Sequence, residues 1–395
     1  MKTTHLTKNK WANQIIISSK NIAIFFFTLC ALVACVDEKD ELNISSPESV
    51  IWTFENGLPI TSHPISTGEF VLLEQDGTVL QNIDAESGKI VWSFQGVTSD
   101  FGKPGRSFRV PLVTNGIVYW AMGLARIYAI ELTTGKKIWE YNASTRVDEL
   151  GRPTDSFTTP PVYNNNKLYV LTYNKRLLAI DTSNGELIWE NNTITGQLCP
   201  KLIIANNKVI VTDGGNFNKS RVKAFNGDTG EQVWYYETPN QLNMYLFNDD
   251  QCAFIKDGVT VKGLEIETGD VLYECNTNLV DGKLIFASPK YFYMNNDKRV
   301  YAFDKEQKKE IWNHQTAEDI LLIPATYGNY LYFGDTEYLY ALEKNSGKLV
   351  WEIHLNKKTS QPNGPIEIKS FITTPAVNEQ FVYTVHYDIL YAIKR

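Results

Sequence analysis

The sequence of 395 residues has few of the residue types that build reactive centres. It holds 5 cysteines, 4 methionines and 5 histidines. No HExxH pattern and no Cys/His cluster at zinc-ligand spacing occurs among them. The paired glycines Gly214-Gly215 precede neither a Lys-Ser/Thr pair nor a helical pattern, so they do not form a phosphate-binding loop. We therefore expect no catalytic residue, no metal site and no cofactor, and a protein that is not an enzyme.

The cysteines do not define a disulfide framework. Cys30 and Cys35 lie in the N-terminal segment, which leaves Cys199, Cys252 and Cys275. An odd number cannot be fully paired within one chain. A bridge between Cys252 and Cys275 and buried free thiols remain as alternatives.

No apolar run has the length of a transmembrane helix. The run Ile22 to Val33, interrupted only by Thr28, has 12 residues. As a helix it would span about 18 Å, against a hydrocarbon core of roughly 30 Å. Lysines precede it and a small residue before Cys35 follows it, which is typical of an export signal. Residues 1–34 are therefore predicted to be a signal peptide.

The four residues that end at Cys35, Leu32-Val33-Ala34-Cys35, resemble the bacterial lipobox. This resemblance implies cleavage before Cys35 and acylation of its thiol. Residues 35–46, with an acidic cluster at 37–41, are then a solvated tether. An ordinary secretory signal with an incidental cysteine is the alternative. The acidic cluster also resembles surface-export signals, so we expect a lipid anchor in the outer membrane, on the periplasmic side or at the cell surface, with the first preferred.

The chain has no excess of basic residues. Its formal charge of −7 becomes −11 without residues 1–34, because that segment holds four lysines and no acids. A chain this acidic is poorly suited to nucleic acid or to anionic membrane surfaces.

Aromatic residues recur at nearly even intervals of about 40 residues, which indicates an array of repeated units. In one copy, Asp181 is followed four residues later by Gly185 and four further on by Trp189. The same frame surrounds Gly88, Gly135, Gly230, Gly269 and Gly347, and it is weaker where Lys308 replaces the glycine. The eight repeated aromatics are Trp52, Trp92, Trp139, Trp189, Trp234, Tyr273, Trp312 and Trp351.

Each period contains alternating apolar stretches separated by turn residues, as expected of four short antiparallel strands. A small residue stands ten positions before most of the aromatics, as expected where two sheets approach each other closely. Repeated four-stranded sheets bury their faces only against neighbours, so residues 47–395 are predicted to be an all-β, eight-bladed β-propeller. No strand pattern precedes Trp52 in its repeat, and no repeated aromatic follows the strands of the last repeat. The N-terminal strand is therefore predicted to complete the last blade and close the ring.

The Ala-x-Asp-x-x-Thr/Asn-Gly-x-x-x-Trp frame resembles the repeat named after pyrroloquinoline quinone (PQQ) enzymes, over nearly all of residues 47–395. With a lipid anchor and eight blades, the chain is most similar to the family of the outer-membrane assembly factor BamB. Residues 146–162 and 371–377 strengthen this likeness. The resemblance implies a scaffold that binds proteins. In the family's dehydrogenases a cofactor clamp includes adjacent cysteines, and no two cysteines are adjacent in this chain.

Three other features suggest specific roles. Trp120 lies outside the repeat phase, so it is the one tryptophan of the propeller free for another role. His63, before Pro64, is predicted to have a structural or binding role rather than a catalytic one. Asp213 and the pair Asp249-Asp250 could ligate calcium, although no EF-hand spacing is present.

Three connections between blades, residues 94–109, 141–157 and 353–372, are longer than the others and carry mixed charge. Connections of this type emerge on one face, and long loops on a rigid scaffold often carry binding sites. The predicted partner-binding residues are Arg106, Arg109, Arg146, Asp148, Glu149, Leu150, Arg152 and Asp155.

The preferred hypothesis is a lipid-anchored, non-enzymatic scaffold for protein partners in the cell envelope, in outer-membrane β-barrel assembly. A PQQ-type cofactor-binding or dehydrogenase-related propeller is one alternative. A surface-exposed binder of polysaccharide or another ligand is the other.

Overall fold

The computed structural model describes residues 49–97, 110–122, 125–144, 155–195, 197–214, 220–238, 246–320, 322–355 and 373–395. The predicted signal peptide, Cys35 and the tether lie outside these residues. The described chain forms 32 strands in eight four-stranded antiparallel sheets, which confirms the predicted propeller.

Seven blades are each formed by four consecutive strands, which run in order from the innermost to the outermost. Blade 1 contains β2 (Ile65–Ser66), β3 (Phe70–Gln75), β4 (Val79–Asp84) and β5 (Ile90–Gln95). Blade 2 contains β6 (Leu112–Thr114), β7 (Ile117–Met122), β8 (Arg126–Glu131) and β9 (Lys137–Asn142). Blade 3 contains β10 (Val162–Asn164), β11 (Lys167–Leu171), β12 (Leu177–Asp181) and β13 (Leu187–Asn191). Blade 4 contains β14 (Gln197–Ala205), β15 (Lys208–Gly214), β16 (Ser220–Asn226) and β17 (Gln232–Thr238).

The second half of the ring repeats this arrangement. Blade 5 contains β18 (Phe247–Asn248), β19 (Cys252–Asp257), β20 (Thr260–Glu265) and β21 (Val271–Asn276). Blade 6 contains β22 (Lys283–Ala287), β23 (Tyr291–Asn296), β24 (Arg299–Asp304) and β25 (Lys309–Gln315). Blade 7 contains β26 (Ala325–Tyr327), β27 (Tyr330–Gly334), β28 (Tyr338–Glu343) and β29 (Leu349–His354). The closing blade contains β30 (Ala376–Val377), β31 (Phe381–His386), β32 (Ile389–Lys394) and β1 (Val50–Phe54).

The closing blade joins the two ends of the described chain. Its outer strand β1 pairs antiparallel with β32, and Trp52 lies opposite Ala392. The prediction that the N-terminal strand completes the last blade is therefore confirmed. A closed ring leaves no blade face without a neighbour.

The hydrophobic core lies between blades rather than within one central cluster. Eight buried clusters each combine residues of two neighbouring blades, one cluster for every junction of the ring. The cluster between the closing blade and blade 1, for example, contains Tyr383 and Leu390 together with Val71 and Ile83. Each blade is thus stabilised by apolar burial on both faces.

The repeated tryptophans pack across these junctions. Trp139 of blade 2 donates its indole N–H to the carbonyl of Thr182 in blade 3, at 2.8 Å. It also covers Gly185, whose φ is +78° and where an added Cβ would lie 2.6 Å from the indole. Equivalent hydrogen bonds join Trp52 to Ala85, Trp92 to Leu132, Trp189 to Gly227, Trp234 to Ile266 and Trp312 to Lys344.

The small residues that precede the aromatics lie directly opposite them within a blade. Ala179 pairs with Trp189 and Ala129 with Trp139, and the register shifts at the next residue. The sequence analysis interpreted these small residues as a sign that two sheets approach closely. The structure shows that each one makes room for an aromatic ring on the adjacent strand.

Candidate functional site on the long-loop face

The two faces of the ring carry different connections. Because neighbouring strands are antiparallel, the turns after the first and third strands of a blade emerge on one face, which we name the short-turn face. The turns after the second strand and the connections between blades emerge on the other, the long-loop face. The three long connections predicted from the sequence belong to the long-loop face.

Most of the predicted partner-binding residues lie outside the described part of the chain. These are Arg106, Arg109, Arg146, Asp148, Glu149, Leu150 and Arg152, and their role stays a prediction. The structure describes both ends of the segment 145–154 that holds five of them. Those ends show how the segment is attached to the ring.

Arg176, just before β12, contacts both ends of segment 145–154. Its guanidinium donates to the carbonyl oxygen of Ala143 at 2.8 Å, before the segment, and pairs with Asp155 Oδ2 at 3.3 Å, after it. It also forms a two-point ion pair with Glu190, at 3.0 and 2.7 Å. A planar guanidinium has enough donors to make these contacts at the same time.

The charges of this pair are mutually stabilising. The Glu190 carboxylate raises the pKa of Arg176, against the opposing effect of burial. In return, the hydrogen bond from Arg176 lowers the pKa of Glu190. Both groups therefore remain charged near neutral pH, so the guanidinium that contacts Ala143 and Asp155 carries a positive charge.

Asp155 is buried, unlike an exposed contact residue. Its carboxylate accepts hydrogen bonds from the backbone N–H groups of Ser156 and Asn174, at 2.9 and 3.1 Å, besides the contact with Arg176. The structure therefore places Asp155 as an anchor at the end of the segment.

Other connections of this face are attached by buried carboxylates as well. Asp213 pairs with Lys223 at 2.6 Å, and Lys223 also donates to the carbonyl of Thr193 in blade 3. Asp335 accepts the backbone N–H of Glu318 and the hydroxyl of Tyr340. Both acids considered as calcium ligands are thus paired with a lysine, because Asp249, on the short-turn face, pairs with Lys305 at 2.7 Å.

Tyr173 is the feature of this face that the sequence did not single out. It lies in the turn between β11 and β12 that also holds Arg176, and the residue is 68% exposed. Its backbone N–H donates to the carbonyl of Ser156 at 2.7 Å, so the turn and the end of the long segment are joined. The sequence Tyr-Asn-Lys-Arg at residues 173–176 is typical of a turn. It does not indicate that this turn lies beside the ends of segment 145–154.

Trp120 is not free for a separate role, and that prediction is wrong. It is fully buried between blades 1 and 2, and its indole N–H donates to Glu74 Oε2 at 2.6 Å. His63 is partly buried, and desolvation lowers its pKa to about 4. It is therefore neutral near pH 7.

Cys252 and Cys275 are free thiols buried between blades 5 and 6, so of the two alternatives the structure shows the unbridged one. Burial raises the pKa of Cys252 to about 11. These cysteines do not form the clamp of adjacent cysteines that the PQQ dehydrogenases imply. Within the described ranges, no group of three or more His, Cys, Asp or Glu side chains is placed to hold a metal ion. The described residues also include no helix with the length and apolar character needed to cross a membrane.

Eight blades, a closed ring and a tryptophan packed against a turn at most junctions define a β-propeller of PQQ-like repeats. The chain belongs to the family described as outer membrane protein assembly factor BamB, which residues 31–165, 149–279 and 296–393 match.

Known proteins similar to this chain fall into two groups. The BamB of Nitrosomonas eutropha is 28% identical over 130 residues, 32% of this chain and 31% of that protein. The dehydrogenase subunit of a quinone alcohol dehydrogenase from Gluconobacter oxydans is 28% identical over 189 residues, 43% of this chain and 24% of that protein. The matched parts thus span a third or less of these relatives. The crystal structure of BamB from Moraxella catarrhalis has a TM-score of 0.60 at 14% identity, over 88% of this chain and 99% of that one.

Proposed function

We propose that this protein is a non-enzymatic, lipid-anchored scaffold that binds protein partners in the cell envelope, within an outer-membrane assembly complex. The long-loop face is the partner surface, and its centre is the segment 145–154. Membership of the BamB family supports the class of function. The attachment of the segment by Arg176 supports the choice of surface.

The double attachment has a physical consequence for binding. A loop whose two ends are fixed has fewer conformations to lose when a partner orders it, so less of the binding free energy is spent on ordering. Tyr173 stands exposed beside the fixed ends, and tyrosine and arginine are enriched among residues that dominate protein interfaces. Tyr173 and Arg176 thus lie beside the two described ends of a segment whose sequence is rich in charge.

Partner recovery from detergent-solubilised membranes tests this proposal. A tagged, lipidated protein with Arg152→Glu and Asp148→Lys should recover less partner than the wild type. Both residues are predicted from the sequence to lie in a surface loop, where substitutions usually shift stability by less than about 0.5 kcal/mol, so the melting temperature should hardly change. The matched control is Lys136→Glu with Glu231→Lys, an equal exchange of charge at two exposed residues of the short-turn face.

Two further variants test separately the attachment of segment 145–154 by Arg176 and the exposed surface at Tyr173. Arg176→Gln should weaken recovery by releasing the segment, and Tyr173→Ala should weaken it by removing an exposed contact. If the long-loop variants recover as much partner as the wild type while the control loses it, the wrong face has been chosen.

The anchor is tested separately. Cys35→Ala should abolish acylation and release the protein into the soluble fraction, because no other segment is predicted to hold a membrane. An intact mass without lipid on the wild-type protein would refute the lipid anchor while leaving the scaffold untouched.

A PQQ-binding propeller is the second candidate, and the likeness to quinone alcohol dehydrogenases favours it. PQQ added together with calcium would then stay with the protein through gel filtration and show quinone absorbance. Loss of all quinone absorbance on the column would argue against this candidate.

A further inference from the structure

A cavity of about 710 Å³ opens between turns of the short-turn face, where the closing blade meets blade 1. Its volume lies in the range of roughly 300–1,000 Å³ that is typical of ligand pockets. Its lining includes three aromatic and three glutamate residues, Phe70, Tyr327, Phe381, Glu69, Glu86 and Glu379. The cavity is remote from the long-loop face.

Two equivalent junctions, between blades 3 and 4 and between blades 4 and 5, are bridged by a lysine. Lys167, the first residue of β11, pairs at 2.7 Å with Asp228 in a turn of the next blade. Lys208, the first residue of β15, pairs in the same way with Glu267 of the blade that follows it. In both cases the second strand of one blade supplies the cation, and the turn after the third strand of the next blade supplies the carboxylate.

The junction at the cavity has a carboxylate in the same turn but an aromatic residue where those two junctions have a lysine. The strand registers place Phe381, the first residue of β31, where Lys167 and Lys208 stand in their blades. Glu86 stands two residues after Asp84, just as Asp228 follows Asn226 and Glu267 follows Glu265. Phe381 therefore faces an acidic turn that an ammonium group bridges at other junctions.

The surrounding charges reinforce this local deficit of positive charge. Glu69, Glu86 and Glu379 are exposed, and within the described part of the chain none of them forms an ion pair. Arg395 lies at the edge with its guanidinium 4.5 Å from the centre of the Tyr327 ring, and it donates to the carbonyl of Asn378. This contact shows that an aromatic wall of the cavity already accepts a cation, as expected of a π face.

We propose that this cavity binds a lysine side chain from a polypeptide partner, with the ammonium group at Glu86 in the place that Lys167 and Lys208 occupy elsewhere. The apolar stem of the lysine and its apolar sequence neighbours pack on Phe70 and Phe381. A bare amine would leave those rings uncovered, which is why the ligand is assigned to a polypeptide. The site is independent of the long-loop face, so either assignment can fail without the other.

Titration calorimetry with the full chain tests the site. The probe is the peptide acetyl-Leu-Lys-Leu-amide, and its reference is the same peptide with norleucine in place of lysine. The lysine peptide should bind and the reference should not. Glu86→Gln should weaken binding roughly tenfold, the usual effect of losing a charged hydrogen-bond partner. Glu267→Gln changes the equivalent carboxylate at another junction and should leave binding unchanged.

A gain-of-partner variant sharpens the test. Phe381→Lys should restore the internal ion pair with Glu86 and abolish peptide binding. If that variant does not fold, as judged by its melting curve, the comparison of Glu86→Gln with Glu267→Gln decides. Three results would overturn the proposal: no binding of the lysine peptide at roughly 1 mM, equal affinity for the norleucine peptide, or equal affinity for n-butylamine, which lacks the peptide.

Discussion

Replacing Gly185 by alanine should destabilise the ring for two separate reasons. Its φ of +78° disfavours any residue with a Cβ by roughly 1–2 kcal/mol. The new methyl group would also lie 2.6 Å from Cε3 and 2.8 Å from Cδ2 of Trp139. Overpacking of this kind costs typically about 1–3 kcal/mol. The sum predicts a loss of about 2–5 kcal/mol for Gly185→Ala.

Gly116→Ala separates the two contributions. Gly116 has nearly the same φ, +72°, but nothing lies within 4 Å of an added Cβ. This control should lose only the roughly 1–2 kcal/mol of the backbone effect. Denaturant unfolding of both variants, followed by the far-UV signal, measures the difference. If the two variants lose the same free energy of unfolding, the contact between glycine and tryptophan does not stabilise the junctions.

Three further predictions concern closure, packing and protonation. Deleting residues 47–56 removes β1, so the melting temperature should fall sharply; an unchanged melting temperature would refute the shared blade. Tyr273→Trp should destabilise the protein unless Lys308→Gly accompanies it, because Lys308 holds the glycine position with a φ of +53°. A double-mutant cycle should show a coupling of at least about 0.5 kcal/mol, and simple additivity would contradict it. The folded state keeps the pKa of His63 near 4 against an ordinary 6.5, so stability should fall by up to about 3 kcal/mol as pH drops through that interval. His63→Gln should remove this part of the pH dependence, as unfolding curves at several pH values would show.

The repeat frame was sufficient to predict the propeller, because each of its residues has a local physical task. The glycine takes a positive φ, and the acid accepts hydrogen bonds from the turn, as Asp181 does from the backbone N–H of Ser183 at 2.7 Å. Where Lys308 replaces the glycine of the frame, the aromatic residue that it faces is also different, a tyrosine instead of a tryptophan. Its ammonium lies 5.5 Å from the centre of the Tyr273 ring, where other junctions pair a tryptophan with a glycine.

Contacts between non-equivalent parts of the chain could not be predicted from the sequence. Arg176 resembled any charged turn residue until the structure placed it against Ala143 and Asp155. Trp120 stood outside the repeat phase, and only the junction with Glu74 shows that it belongs to the core. These contacts depend on which side chains meet across two blades, and repeat spacing alone does not determine that.

Ring closure by β1 also constrains the order in which the blades can fold during synthesis. Trp52 is among the first described residues to be synthesised, yet its strand partner Ala392 is among the last. Blades 1 to 7 are each built from consecutive strands, so each can form soon after its own residues are available. The closing blade must wait for nearly the whole chain, and until then the apolar side chains of β1 have no sheet to join. The interval between these two events is when the unfinished ring is most exposed to aggregation or to capture by a chaperone.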